Sequence, residues 1–291
     1  MARRSILLAM QPDQEVLNRW SGSAPFWEKH REIIRHMFAP ITQALVEDGQ
    51  IGSQQAVLDI ATGPGEPALS LAAVVGPEGK IFGIDPIPEM VAGARRAAER
   101  LGLQNTQFEV AGADQLPFPD DMFDAVISRF GVMFFPSPVE GVREMLRVLK
   151  PGRKIALAVW HSVESNPFFN SMSRVIDQYF DSPPLAPDAP DAFRFASRGK
   201  LQEVVREAGI AAPTERLVQC KIEAAISVED FWTLRIEMSE KLREKIGSLS
   251  GERLAEVRRH AIESLNEYSR DGGMSFPAEV LIVSGAKGLP R

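Results

Sequence analysis

The sequence predicts an α/β protein with a doubly wound sheet, in which helices cover both faces of mostly parallel strands. Strand-like apolar runs alternate with helix-like apolar spacing across residues 56–160. The run IALAVW contains no polar residue, which is typical of a strand that is covered on both faces. The 291 residues, 44% of them hydrophobic, are enough for one large domain with a sizeable core.

The predicted elements begin with a helix. Residues 25–47 place apolar side chains three or four positions apart, which predicts an amphipathic helix with a kink near Pro40. Strands are predicted at 56–60, 80–85, 106–110, 123–128 and 155–160, and helices at 67–75 and 89–101. A further helix should open at Ser137 and Pro138, because serine favours the N-cap and proline the first helical position.

The alternation breaks after Trp160. Helices are predicted at 166–180 and 200–208, with a Pro/Asp-rich loop at 181–193 between them. Two more strands, at 216–223 and 279–284, enclose a charged helical segment at 228–269. We therefore expect residues 1–50 to form an N-terminal helical lid. Residues 51–291 should form one domain with cap insertions at about 161–213 and 225–275.

Composition limits the classes of function. A net charge of −6 and a pI of about 5.4 argue against a protein built to grip nucleic acid, so no nucleic-acid partner is expected. The single cysteine, Cys220, excludes an intramolecular disulfide and fits a reducing cytoplasm. No apolar run is long enough to span a membrane, and the apolar patch after the first arginines is short for a signal peptide. The four histidines show no spacing that would hold a metal.

The glycine-rich stretch VLDIATGPGEPALSLA allows two kinds of ligand. Gly63 to Ala68 fit the pattern G-x-G-x-x-A, and Asp85 lies twenty residues after Gly65, as in dinucleotide-binding proteins. An NAD(P)-dependent oxidoreductase is therefore one hypothesis. Against it, Asp59 at the end of the first strand would repel a pyrophosphate, although it could orient the loop or help to hold a cationic amino group. The segments ADQLPF and FDAVISRFGVMFF follow at the places where an adenine and the far end of a ligand would lie.

Taken together, VLDIATGPGEP, GIDPIPEM, ADQLPF, FDAVISRFGVMFF and VLKPGRKIALAVW resemble the class I S-adenosylmethionine-dependent methyltransferases. The resemblance covers about residues 56–165 and is nearest to the small-molecule group related to ubiquinone/menaquinone C-methyltransferases. It implies a Rossmann-like seven-stranded sheet, with five parallel β/α units and a C-terminal antiparallel strand. It also implies S-adenosyl-L-methionine as the cofactor and a small-molecule methyl acceptor as the partner.

The resemblance carries roles onto individual residues. Asp59, Ala61, Gly63 and Gly65 would surround the methionine moiety, and Asp85 would accept hydrogen bonds from the ribose hydroxyls. The remaining cofactor contacts would be Pro86 and Met90 beside the adenine, Asp114 at its exocyclic amine, Gln115 or Leu116 over the ring, and the Ser128 carbonyl near the amino group. The chain departs from the common family pattern at Ala61 and Arg153, where glycine is usual.

The reaction implied is in-line transfer of a methyl group to an O, C or N atom. If a general base assists, His161 is the first candidate because it follows the fifth strand at the ligand-binding edge. His30 is a second candidate, and Glu164 a third. Aromatic and apolar residues near this edge predict walls for an apolar or aromatic acceptor: Trp20, Phe26, Trp27, Phe130, Met133, Phe134, Phe168 and Phe169.

Three alternatives remain open besides the oxidoreductase: an RNA methyltransferase, a protein methyltransferase, and a cofactor-binding scaffold without catalysis. The acidic charge balance argues against RNA as the substrate. The exposed aromatic segments would suit either a pocket wall or the interface of a homodimer.

Overall fold

The computed structural model describes residues 11–180 and 188–289. The arginines and apolar patch at the N-terminus, and residues 181–187 of the Pro/Asp-rich loop, lie outside the described residues. In the described part of the chain, no helix combines the length and apolar character that a membrane crossing requires.

A twisted sheet with helices on both faces forms the centre of the molecule. Its strands are β1 (Ala56–Ile60), β2 (Lys80–Asp85), β3 (Thr106–Val110), β4 (Phe123–Arg129), β5 (Leu149–Trp160), β6 (Thr214–Ala224), β7 (Ser269–Arg270) and β8 (Gly273–Ala286). The strand order is β3-β2-β1-β4-β5-β8-β6, and the two-residue β7 pairs with β8. Strands β1 to β5 are parallel, and β8 is antiparallel to both β5 and β6. The predicted doubly wound sheet with a reversed C-terminal strand is confirmed, with β7 as a short addition.

The helices before and within the sheet are α1 (Gln11–Lys29), α2 (Arg31–Met37), α3 (Ala39–Asp48), α4 (Ala68–Val75), α5 (Pro88–Arg100) and α6 (Pro138–Val148). The single helix predicted for 25–47 is wrong, because the chain breaks at His30 and again at Phe38. Pro40 lies in the first turn of α3, where its missing N–H costs no hydrogen bond. The connection from β3 to β4 contains no helix.

The later helices are α7 (Pro167–Asp177), α8 (Lys200–Ala208), α9 (Val228–Met238), α10 (Glu240–Gly247) and α11 (Gly251–Leu265). The charged helical segment predicted at 228–269 consists of these last three helices, followed by a short 3-10 turn (Asn266–Tyr268) and Ser269. The Ser227, Ser239 and Ser250 side chains each accept a hydrogen bond from a first-turn amide, which starts a new helix. The predicted cap at Ser137 is wrong in one respect: its side chain makes no capping bond, although Pro138 does open α6.

Candidate functional site

A cavity of about 1090 Å³ lies at the carboxyl ends of the parallel strands. Its floor comes from the ends of β1, β2, β4 and β5, and the strand order reverses between β1 and β4, the place where doubly wound sheets bind ligands. Helices α1, α7 and α9 and residues 190–193 enclose the other side. The volume is slightly above the ~300–1,000 Å³ typical of small-molecule sites, so the cavity has room for more than a compact ligand.

Asp59 holds the glycine-rich loop from below. Its Oδ2 accepts hydrogen bonds from Thr62 Oγ1 at 2.7 Å and from the Ala68 amide at 3.2 Å, so it ties the loop to the first residue of α4. The side chain is fully buried and does not line the cavity. Burial raises its pKa to about 7, and the bonds from Thr62 and Ala68 only partly oppose that shift.

Asp85 ends β2 and does line the cavity. Its Oδ2 accepts from the Gly63 amide and its Oδ1 from the Ile87 amide, each at 3.0 Å. Burial raises the pKa of Asp85 to about 6, against the stabilising effect of these two bonds. Each carboxylate oxygen keeps acceptor capacity for a further donor, because one backbone bond occupies only part of it.

The backbone is strained where β1 and β4 meet the cavity. Ala61 has φ of 60° and Phe130 has φ of 65°, in the left-handed region that residues with side chains seldom adopt. The conformation of Ala61 explains why glycine is the common residue there in the family that the sequence resembles. A Cβ on Gly131 would lie 2.5 Å from Ala61 Cβ and 2.6 Å from Ser128 Oγ, so only glycine fits.

The segment ADQLPF is held by helix α6. Glu144 accepts a hydrogen bond from the Leu116 amide at 3.0 Å, and Arg147 donates to the Leu116 and Phe118 carbonyls. The hydrogen bond from Arg147 lowers the pKa of Glu144, which keeps this acceptor ionised. Asp114 is thereby held at the mouth of the cavity, where its side chain is exposed.

Buried arginines join the N-terminal helices to the loop. Arg129 donates to Thr42 Oγ1 at 2.7 Å and to the Glu66 carbonyl at 3.1 Å. Arg31 lies 3.5 Å from Glu66 Oε1, and Ser70 donates to Glu66 Oε2 at 2.6 Å. Helices α2 and α3 are therefore part of the scaffold that positions the loop.

Aromatic rings form the wall of the cavity beside the ends of β4 and β5. Phe130 and Trp160 stack with centroids 4.0 Å apart and planes 9° apart, and Phe38 meets both rings edge to face. Trp160 also meets Phe169 edge to face, and Trp20 does the same with Phe134. This end of the cavity therefore offers flat, apolar surfaces to a ligand.

The structure brings most of the predicted residues together. Those that line the cavity are Ala61, Gly63, Asp85, Pro86, Met90, Asp114, Trp20, Trp27, Phe130, Phe134, Phe168 and Phe169. Those that do not are Asp59, Gly65, Gln115, Leu116, Ser128, Phe26 and Met133.

Several residues of the second group have a structural part instead. Ser128 Oγ donates to the Ile60 carbonyl at 2.8 Å and links β4 to β1. A Cβ on Gly65 would lie 2.6 Å from Leu69 Cδ1, so this glycine allows α4 to approach the loop. Phe26 packs under the Arg243 guanidinium, 4.8 Å from its ring centroid.

Neither predicted histidine reaches the cavity. His161 Nδ1 lies 2.7 Å from the Ala196 carbonyl, and its Nε2 lies 3.9 Å from Glu279 Oε2. His30 Nε2 lies 2.5 Å from Glu237 Oε2, where α1 ends. Both rings are held by partners outside the cavity lining, whereas Glu164 lines the cavity with an exposed side chain. In the described part of the chain, no group of three or more His, Cys, Asp or Glu residues could hold a metal ion.

Other residues that line the cavity were not predicted from the sequence. Phe38, Trp160, Phe193, Arg31, Glu66 and Arg235 all line the cavity. The phenylalanines and Trp160 were predictable as buried apolar residues. Because they lie far apart along the chain, the sequence does not show that they meet in one cavity. A sign that Arg235 is unusual was its place among the apolar residues of WTLRIEM.

Comparison with known proteins identifies the relatives of this chain. The family described as "Methyltransferase domain" matches residues 51–208, more than half of the chain. An uncharacterised protein of Mycobacterium tuberculosis is 30% identical over 86% of this chain and 88% of its own length. The ubiquinone/menaquinone biosynthesis C-methyltransferase UbiE of Pseudomonas putida is 38% identical over 48% of this chain and 54% of its own length. The crystal structure of YcgJ from Bacillus subtilis shares the fold, with a TM-score of 0.55 and 22% identity over 85% of this chain and 98% of its own.

Proposed function

The chain belongs to the methyltransferase-domain family, and from this premise we propose that it methylates a small apolar or aromatic molecule held beneath its helical cap. It is an S-adenosylmethionine-dependent methyltransferase, and the NAD(P) hypothesis is thereby set aside. Bound S-adenosylmethionine supplies a methyl group already activated on its sulfonium. The protein must therefore bind the cofactor, orient an acceptor O, C or N atom and exclude water.

The residues at the strand ends suit the cofactor. Both Asp85 oxygens retain acceptor capacity, as two neighbouring ribose hydroxyls require. A Cβ built on Gly63 meets nothing within 4 Å, so the loop leaves space for a ligand beside its backbone. Pro86 and Met90 would contact the adenine, and the exposed Asp114 would accept from its amine.

We assign a supporting role to the predicted cofactor residues that lie outside the lining. Asp59 and Gly65 set the conformation and packing of the loop. Ser128 fixes the spacing of β4 and β1, and the Leu116 amide anchors the Asp114 segment to Glu144. Their substitution should weaken cofactor binding indirectly, through the shape of the loop.

The acceptor would lie against the aromatic wall formed by Phe130, Trp160 and Phe169. Positioning a nucleophile and excluding water can contribute up to roughly 7–11 kcal/mol to a reaction of this kind. We do not propose His161 or His30 as a base, since each is held by partners away from the cavity. The enclosed aromatic site and the net charge of −6 favour a small molecule over a nucleic acid.

A single observation carries the proposal: one continuous cavity joins Asp85 and the glycine loop to the aromatic wall under the cap. Cofactor and acceptor can therefore lie side by side, shielded by helices α1, α7 and α9.

The test is release of S-adenosylhomocysteine from S-adenosylmethionine in the presence of acceptor panels. The panels are two-ring phenols, enolisable ring ketones and aryl amines, with tRNA and a mixed peptide library as separate arms. We expect turnover with at least one small-molecule panel and none with tRNA or peptides. Turnover confined to tRNA or peptides would contradict the proposal. The Trp160→Ala variant should lower turnover at least tenfold while changing the Kd for S-adenosylhomocysteine less than threefold.

A further inference from the structure

Arg235 on α9 is a buried cation with no acidic partner among the residues that the structure describes. The side chain lines the cavity and is 6% exposed, yet it has no hydrogen bond or ion pair to any residue within 11–180 and 188–289. Its Nε is enclosed and unsatisfied. Burial lowers the pKa of Arg235 to about 10, so the guanidinium is still charged at neutral pH. A buried charge in this state is costly unless something pairs with it.

The immediate surroundings of Arg235 are aromatic. Its guanidinium carbon lies 4.6 Å from the Phe168 ring centroid and 5.1 Å from that of Phe169. Such cation–π contacts stabilise the charge, but they do not accept the five N–H donors that a guanidinium presents. The donors that are not enclosed therefore remain available toward the cavity.

The other charged groups at this end of the cavity are differently placed. Glu164, Arg174 and Asp177 are exposed, so water can hydrate them. Asp177 also pairs with Lys245 at 2.5 Å. Asp191 is half-buried, and its Oδ1 accepts from the Phe193 amide at 3.0 Å. Glu240 at the start of α10 lines the same cavity, and its Oε2 is enclosed without a hydrogen-bond partner, but no ion pair joins it to Arg235 within residues 11–180 and 188–289.

We propose that Arg235 binds a carboxylate on the methyl acceptor, so that the substrate is an aromatic acid. This inference rests on the proposed function and specifies its substrate class. A planar carboxylate matches the guanidinium fork, and the attached ring would lie among Phe168, Phe169 and Trp160. The aromatic wall binds the ring of the acceptor. Arg235 binds its carboxylate and so orients the carboxylate end of the acceptor away from the cofactor.

The test compares matched ligands on the protein saturated with S-adenosylhomocysteine. Calorimetry measures the Kd of two-ring aromatic acids and of their primary amides, with 2-naphthoate and 2-naphthamide, 1-naphthoate and 1-naphthamide, and indole-3-carboxylate and its amide as probes. Each pair differs in charge but hardly in size. Naphthyl phosphates form a separate arm, which tests a phosphate in place of the carboxylate.

We expect at least one acid to bind ten- to a hundredfold more tightly than its amide, a range typical of a hydrogen bond to a charged group. In Arg235→Met this preference should fall below about twofold, while Arg235→Lys should retain part of it. Arg174→Met removes the same charge from the exposed rim, and there the ratio should change less than twofold.

The results separate this inference from the proposed function. If the S-adenosylhomocysteine Kd is normal but no acid binds better than its amide, the inference is overturned while the methyltransferase function stands. It is also overturned if the preference survives in Arg235→Met, or if phosphates bind much more tightly than every acid. A purely structural Arg235 would instead lower the melting temperature of Arg235→Met without changing the ratio.

Discussion

Buried carboxylates determine the conformation of the glycine loop. Asp59 binds the loop from within the core, and Asp85 binds it from the cavity side. Because Ala61 has a positive φ, which is strained for a residue with a side chain, these bonds help to compensate for backbone strain at the floor of the cavity. The two acids also have pKa values raised by burial, which makes the loop sensitive to pH.

The first prediction concerns Asp59 and stability. Its pKa is about 7 in the folded protein and near 3.8 when unfolded, so the folded state binds more protons between these values. Its contribution to stability therefore decreases as pH rises from about 4 to 7. Asp59→Asn has no carboxyl to ionise at this position and therefore does not lose stability over this pH range. The free energy of unfolding of Asp59→Asn, minus that of wild type, should therefore increase by about 2–3 kcal/mol from pH 5 to pH 8.

Denaturant titrations at both pH values provide the measurement. Asp124→Asn is the matched control. Burial opposes ionisation of Asp124, but bonds from the Ala56 amide and Lys150 outweigh it and lower the pKa below 3.8. Its linkage to pH therefore lies below pH 4, and no difference is expected between pH 5 and 8. A flat profile for Asp59→Asn would show that Asp59 is ionised in the folded protein.

The second prediction concerns Gly131. An added Cβ would overlap Ala61 and Ser128 at 2.5–2.6 Å, so Gly131→Ala should lower the free energy of unfolding by about 1–3 kcal/mol. The shift should also displace the strained backbone of Ala61 and weaken S-adenosylhomocysteine binding. Gly52→Ala is the control, since its Cβ meets nothing within 4 Å. Equal stability of the two variants, measured by urea titration, would refute the crowding of this turn.

At the scale of elements, helix α1 connects the two ends of the site. Leu17, Trp20 and Trp27 pack on Ile87 and Met90 beside β2. At the other side, the Trp27 indole donates to the Met238 carbonyl of α9 at 3.3 Å. An ion pair of 2.6 Å between Glu28 and Arg96 further ties α1 to α5. We propose that α1 acts as a lid over both ligands.

The third prediction follows from this lid. S-adenosylhomocysteine should slow amide exchange across residues 16–29 at least fivefold, because the ligand supports the Trp20 and Trp27 contacts from below. Exchange in β6 and the facing part of β8, away from the cavity, serves as the internal control and should change less than twofold. Unchanged exchange in α1 together with tight binding would contradict the lid.

The sequence predicted the strands better than the helices. The bounds of β1, β2 and β3 match the prediction. In β1 and β2 a mostly buried apolar run has clear ends, whereas β3 has only Phe108 buried and was predicted from its alternating pattern of apolar and polar residues. The breaks within residues 11–48 and 228–265 were missed, since one amphipathic pattern continues across them. Serine side chains start the last three of these helices, and a serine one or two residues before an acidic residue was the available signal.

The site was predictable where its residues are close in sequence. The loop, Asp85 and Asp114 come from short motifs at consecutive strand ends, so their order along the chain reveals their position. Arg235 and Phe193 reach the cavity only through the packing of α9 and of residues 190–193 on the sheet. That packing depends on contacts between distant segments, which no local pattern records.

At the scale of the whole molecule, the sheet and the helical cap contribute different residues to the cavity. The strand ends supply polar groups for a cofactor together with Phe130 and Trp160, and the helices beyond Trp160 add Phe168, Phe169 and Arg235. Both halves close on the same cavity, so binding at one end should affect the other.

The fourth prediction is that S-adenosylhomocysteine raises the affinity for an aromatic acid about five- to tenfold, and that calorimetry finds the reciprocal effect. Independent binding would indicate two separate sites.

We propose that Asp85 and the glycine loop bind the cofactor. Calorimetric titration of S-adenosylhomocysteine into wild type, Asp85→Ala and Asp48→Ala tests it most directly, with NAD as the comparison ligand. Asp48 pairs with Arg216 on the surface, away from the cavity, and its variant should bind as wild type does. We expect S-adenosylhomocysteine to bind wild type, to bind Asp85→Ala at least tenfold more weakly, and NAD not to bind. Equal affinity of Asp85→Ala and wild type, or a preference for NAD, would contradict it.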